Sequence, residues 1–131
     1  MIQFKQSVRI LLTKYATIDY EVINLTVYTT TCPAEALAQL LGKKWVPQLI
    51  ELLAEKPLRF GELTKALAGS TPKVIKQQLS LLEVHGIVHN HKQQTHNQIQ
   101  STYELTPTGQ ALFVIVAQMK EWGSQHLICP T

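Results

Sequence analysis

The segment from Thr71 to Gly86, TPKVIKQQLSLLEVHG, restricts the fold of this chain more than any other. Val74, Ile75, Leu79 and Leu82 recur at helical spacing and are expected to face a core, while Lys73, Lys76, Gln77 and Ser80 share the opposite side. Ser70 or Thr71 can cap such a helix, and Pro72 sits at a favoured first-turn position. A shorter helix, roughly 61 to 67, precedes it across the turn Ala68-Gly69-Ser70. Helix, short turn with a glycine, helix is the outline of a helix-turn-helix. The outward face suits a major groove, because lysines neutralise phosphates or reach guanine and glutamine pairs bidentately with the edge of adenine. An ordinary amphipathic surface helix shows the same periodicity, so the neighbouring segments have to decide.

Charge supports the first reading. The 131 residues carry a formal net charge of only +3. From Lys56 to Gln98, however, six bases (Lys56, Arg59, Lys65, Lys73, Lys76, Lys92) stand against two acids (Glu62, Glu83), while the rest of the chain is close to neutral. Positive charge confined to the segment with the suspect helix is the pattern expected where that region alone meets a polyanion. A hydrophobic content of 45% and this length suit one domain with a real core. The longest apolar run, Ala111 to Ala117, has seven residues, far short of a membrane span. Arg9 and Lys14 interrupt any secretory pattern, so the expected location is the cytoplasm. Two cysteines, Cys32 and Cys129, do not make a disulfide scaffold.

Residues 1 to 31 read as a separate extension in which Ile18, Tyr20 and Val22 alternate with Asp19 and Glu21, favouring extended structure. No role is assigned to it. The domain, residues 32 to 131, opens at Cys32-Pro33 with a helix through Leu41, stopped by Gly42. A second helix runs from about Lys44 to Glu55, with Leu49, Ile50, Leu52 and Leu53 on its core face, and Pro57 ends it. Arg59-Phe60 is a short extended piece. After the suspect helix, Ile87 to Asn90 reads as a strand and Ser101 to Leu105 as its hairpin partner, with a polar loop between them. The last helix starts after Pro107-Thr108-Gly109. It is apolar nearly all round, which points to a subunit interface built from Leu112, Phe113, Ile115, Val116, Met119 and Trp122. The fold class is α+β: a helix-turn-helix, a strand hairpin after it and a C-terminal helix at a subunit interface, the elements of a winged helix-turn-helix domain with a C-terminal dimerisation helix if the resemblance given below holds.

Other chemistry is thinly represented. His85, His89, His91 and His96 cluster in sequence, and His89 and His91 would share one face of a strand as metal ligands can. No Cys or carboxylate set completes a tetrahedral site, so no metal and no cofactor is expected; protonation of these histidines at mildly acidic pH would add to DNA binding. A catalytic reading needs a nucleophile with its base. Cys32 is the one candidate, and no paired carboxylates, phosphate-cradling loop or nucleophile elbow surround it. The expectation is not an enzyme. The competing class is a winged-helix protein-interaction module that does not bind DNA.

Seven motifs in order carry a resemblance: Cys32-Pro33; Gly42-Lys43-Lys44-Trp45; Pro57-Leu58-Arg59-Phe60-Gly61-Glu62-Leu63; Lys73-Val74-Ile75-Lys76-Gln77-Gln78-Leu79; Leu82-Glu83; Gly86-Ile87-Val88; and Tyr103-Glu104-Leu105-Thr106-Pro107-Thr108-Gly109. From Cys32 to about Trp122 the chain resembles the bacterial HxlR-type winged helix-turn-helix transcriptional regulators, a group related to the MarR family. The resemblance implies a homodimer whose first and last helices form the interface, with each subunit placing a recognition helix, 71 to 85, in the major groove of a palindromic operator. The wing is then 87 to 105. The candidate DNA contacts are then Arg59, Ser70, Thr71, Lys73, Lys76, Gln77, Ser80, His91 and Lys92, with a structural bond at the base of the helix-turn-helix as the alternative role of Arg59. Cys32 sits where many such regulators carry a thiol that senses oxidants or electrophiles, the alternative being a small, partly buried apolar residue beside Pro33; Cys129 is its candidate resolving partner if the last helix crosses the dimer. The chain departs from the pattern in the wing. Asn90 stands where similar proteins usually carry an arginine, and Lys92 is the wing's only fixed positive charge.

Overall fold

The computed structural model describes residues 32 to 127, so the extension at 1 to 31 and Cys129 lie outside the described residues. Among the described residues five helices and three strands follow in the order α1 (Pro33–Leu41), α2 (Val46–Glu55), β1 (Leu58–Arg59), α3 (Phe60–Ala66), α4 (Pro72–Val84), β2 (Val88–Thr95), β3 (Gln98–Leu105) and α5 (Pro107–His126). Helix starts follow the local signals. Thr71 is extended, and its Oγ1 accepts the Val74 N–H of α4 at 3.2 Å. Thr106 does the same for Gly109 of α5 at 3.1 Å, so each cap satisfies a backbone donor that the first helical turn leaves unpaired.

Strands β1, β3 and β2 form one antiparallel sheet in that spatial order. Leu58 lies opposite Tyr103, and Asn90 lies opposite Tyr103 on the other side. Tyr103 is therefore the centre of the sheet, and it is 1% exposed. Around it pack Val46, Leu49 and Ile50 of α2, Leu63 of α3, and Ile75, Leu79, Leu81 and Leu82 of α4, all fully buried. Gathering α2, α3, α4 and the sheet around one apolar cluster fixes the helix-turn-helix relative to the wing. Three details of the expected core change. Val74 and Leu52 are only half-buried, while Leu81 is fully buried; the Trp45 backbone N–H, just before α2, donates to Gln78 Oε1 of α4 at 3.2 Å.

The stretch expected to be a loop is mostly strand. Pairing continues without a break from Val88 opposite Leu105 to Thr95 opposite Gln98. Only His96 and Asn97 turn, with φ of 48° and 66°. Positive φ at both central residues is the geometry of a two-residue type I′ hairpin, and Asn tolerates it well.

Gly109 explains why the last helix starts as it does. A Cβ there would lie 2.2 Å from the Ile87 backbone oxygen and 3.0 Å from Leu105 Cδ2. The same oxygen accepts the Thr106 N–H at 3.0 Å, so it is held in place. Gly109→Ala gains up to about 1 kcal/mol of helix propensity but forces the backbones apart. We expect a net loss of roughly 1–3 kcal/mol, measured by urea unfolding; unchanged stability would show that α5 can shift at no cost.

Candidate nucleic-acid interface

Gly69 has φ +91°, a conformation that L side chains rarely adopt, and this turn swings α4 away from α3. Ser70 Oγ donates to the Leu67 carbonyl at 2.6 Å, closing the turn. Ser70 is thus engaged inside the motif, whereas Thr71 is exposed and its hydroxyl still has a proton to donate after capping α4. Lys73 is exposed, while Gln77 and Ser80 are half-buried on the same face. Lys76 shares that face, yet its ammonium turns back toward the sheet, donating to Tyr103 Oη at 3.2 Å. Arg59, the last residue of β1, is exposed; its backbone N–H donates to Glu62 Oε1 at 3.0 Å, which caps the start of α3.

The wing brings its two expected DNA ligands to opposite sides. Successive residues of a strand alternate faces, so Lys92 shares a face with Asn90 and Tyr103, the side turned to α4, while His91 lies on the other. His91 Nε2 meets Glu104 Oε1 at 2.5 Å, and its ring stands edge-on to His89 with centroids 4.2 Å apart. His96 is at the hairpin tip. Burial lowers the pKa of His85, at the end of α4, from its ordinary value, so it resists charging at the mildly acidic pH at which the histidines were expected to add to DNA binding. Among the described residues no group of three or more His, Cys, Asp or Glu side chains is placed to hold a metal ion.

The last helix divides differently from the expectation. Leu112 and Val116 are 8% and 4% exposed, buried in the protomer's own core. They are therefore removed from the interface set, because a side chain filling its own domain has no surface left for a second one. Phe113 packs partly on the core as well. Ile115, Met119 and Trp122 remain outside at 40%, 50% and 58% exposure, joined by Val114 at 54%, which the sequence reading missed. These four form a continuous apolar stripe along α5.

Comparison with known proteins agrees with this architecture. The family model described as HxlR-like helix-turn-helix matches residues 40–129. Among curated proteins, the HTH-type transcriptional regulator YodB of Bacillus subtilis is 32% identical over 97 residues, covering 73% of this chain and 86% of that protein. YdzF of the same organism, an HTH-type transcriptional regulator, is 33% identical over 92 residues, covering 70% of this chain and 84% of that one. Among solved structures, the reduced form of the redox regulator HypR superposes with a TM-score of 0.66 at 33% identity, covering 72% of this chain and 92% of that one. Among the described residues no helix is long and apolar enough to cross a membrane. The winged helix-turn-helix fold, the ordered motifs and a family match spanning most of the folded region lead to one assignment: the chain belongs to the HxlR-like helix-turn-helix family of transcriptional regulators.

Proposed function

We propose that the protein is a homodimer that binds a palindromic operator in duplex DNA and regulates transcription, with each subunit laying α4 in the major groove and the β2–β3 wing beside it. The observation that carries this reading is the exposed Lys73 face of α4 standing next to a long polar hairpin in the one basic part of the chain. Lys73, Lys92 and Arg59 are the phosphate contacts, and Gln77 reads a base edge. The second copy covers the stripe of Val114, Ile115, Met119 and Trp122. Retention on immobilised duplex containing an inverted repeat, compared with a scrambled duplex, tests the reading. A protein-interaction module would be retained by neither.

Regulation through Cys32 belongs to the same proposal. Cys32 is exposed at the N-cap of α1. Support comes from the relatives: HypR is named a redox regulator and was solved in reduced and oxidised forms, and YodB was solved after diamide treatment. Oxidation joins the thiols of Cys32 and a second cysteine, for which Cys129 is the candidate. Two electrons and two protons pass to the oxidant as the S–S bond forms. Diamide is expected to weaken operator binding of the wild type by roughly 5- to 150-fold, the usual range of coupling between two sites, and to leave Cys32→Ser unaffected. Equal responses of the two proteins would remove Cys32 from the switch.

A further inference from the structure

Lys76 Nζ sits where three elements meet. It donates to Tyr103 Oη at 3.2 Å and lies 5.8 Å from the centroid of the Phe60 ring and 6.0 Å from that of Tyr103. Phe60 opens α3, Tyr103 is the centre of the sheet, and Lys76 itself belongs to α4. From the wing, Asn90 Nδ2 donates to the same Tyr103 oxygen at 3.4 Å, while Asn90 Oδ1 is buried with no partner among the described residues. A single hydroxyl, on a ring that cannot move, thus collects one donor from the recognition helix and one from the wing. An ammonium within about 6 Å of an aromatic face is attracted to it, so the Phe60 ring draws the cation in while the Tyr103 hydroxyl orients it.

We propose that Lys76 is a positioning residue, not a phosphate contact: through Tyr103 and Asn90 it fixes the angle between the recognition helix and the wing, and so sets where the wing meets the DNA backbone. The proposal rests on the DNA-binding reading for its consequence but not for its geometry. It also assigns separate roles to two lysines on one helix face. Lys73, one turn earlier, has no such anchor among the described residues of the sheet and is left to the phosphates.

The test uses Lys76→Met, which keeps the stem and removes the charge, Tyr103→Phe, which keeps the buried ring, the double variant, and Lys73→Met as control. In the protein without DNA, hydrogen exchange is followed at the wing amides of residues 88 to 91 and 102 to 105. Lys76→Met and Tyr103→Phe are each expected to speed exchange by roughly two- to tenfold, the worth of one net hydrogen bond. The double variant should do no more than the larger single, and Lys73→Met should change nothing. With operator DNA, Lys76→Met is expected to lower affinity while keeping the wild-type salt slope, and Lys73→Met to reduce that slope by about 0.9 per lost phosphate contact. Exchange in Lys76→Met matching that in Lys73→Met overturns the proposal. So does a slope loss in Lys76→Met equal to that of Lys73→Met, whatever the exchange shows. Failure of the wild type to bind duplex even at low salt would instead overturn the DNA-binding reading, and the exchange data would then decide the role of Lys76 alone.

Discussion

Raising monovalent salt from about 50 to about 200 mM is expected to weaken operator binding by roughly 10³-fold. The proposed contacts Arg59, Lys73 and Lys92 repeat in the second subunit of a dimer. Each cation that meets a phosphate releases condensed counterions, and with this many contacts the log–log slope comes to about −5. Gln77 should behave differently. It is half-buried on the outer face of α4 and carries no charge, so its proposed contact is a base edge and not a phosphate. Gln77→Ala is expected to cost on the order of 1–3 kcal/mol on the operator with the salt slope unchanged. Filter binding across a salt series separates the two kinds of contact. A flat salt response would reject the electrostatic interface, and equal losses on operator and random duplex would deny Gln77 a reading role.

The second large effect concerns the apolar stripe of α5. Wild-type protein is expected to sediment as a dimer at micromolar concentration, and Met119→Glu combined with Trp122→Glu to sediment as a monomer. Both side chains are half or more exposed in the protomer, so charging them should change protomer stability by only about 0.5 kcal/mol each. The desolvation of four new carboxylates at a two-fold interface is far more costly. Two linked recognition helices about 34 Å apart read two half-sites as one. Losing that linkage is expected to lower operator affinity by roughly 10²- to 10⁴-fold. Leu112→Glu, by contrast, should fail to fold well, because Leu112 belongs to the protomer core. A wild-type monomer, or a doubly charged variant that remains a dimer, would sink this interface.

Much of the helix-turn-helix was legible from local signals. Thr71 and Pro72 start α4, Gly69 makes the turn, and apolar spacing turns Ile75, Leu79 and Leu82 inward. Each of these is a property of a few adjacent residues, which is why sequence alone suffices. The wing was less legible. Its middle, HKQQTHNQ, has no apolar alternation, and its pairing is held by backbone hydrogen bonds that leave no mark on residue type. The His96-Asn97 turn carries one signal, an Asn that accepts positive φ, but without a glycine the type I′ signature is incomplete.

The sequence by itself determined the order of elements, the caps, the turn and the confinement of positive charge to the region around α4, because helical periodicity and capping act within a few residues of one another. Only the tertiary structure decided which way the side chains of ambiguous elements point. Helix α5 is apolar on nearly every side, so periodicity cannot say that Leu112 and Val116 fill the core while Ile115, Met119 and Trp122 stay outside; packing against α2 and the sheet makes that division. Lys76 and Lys73 are alike in sequence and share a face. They part because a long flexible ammonium goes wherever an acceptor and an aromatic face are offered, and the Tyr103 hydroxyl and the Phe60 ring reach Lys76 from segments 27 and 16 residues away along the chain.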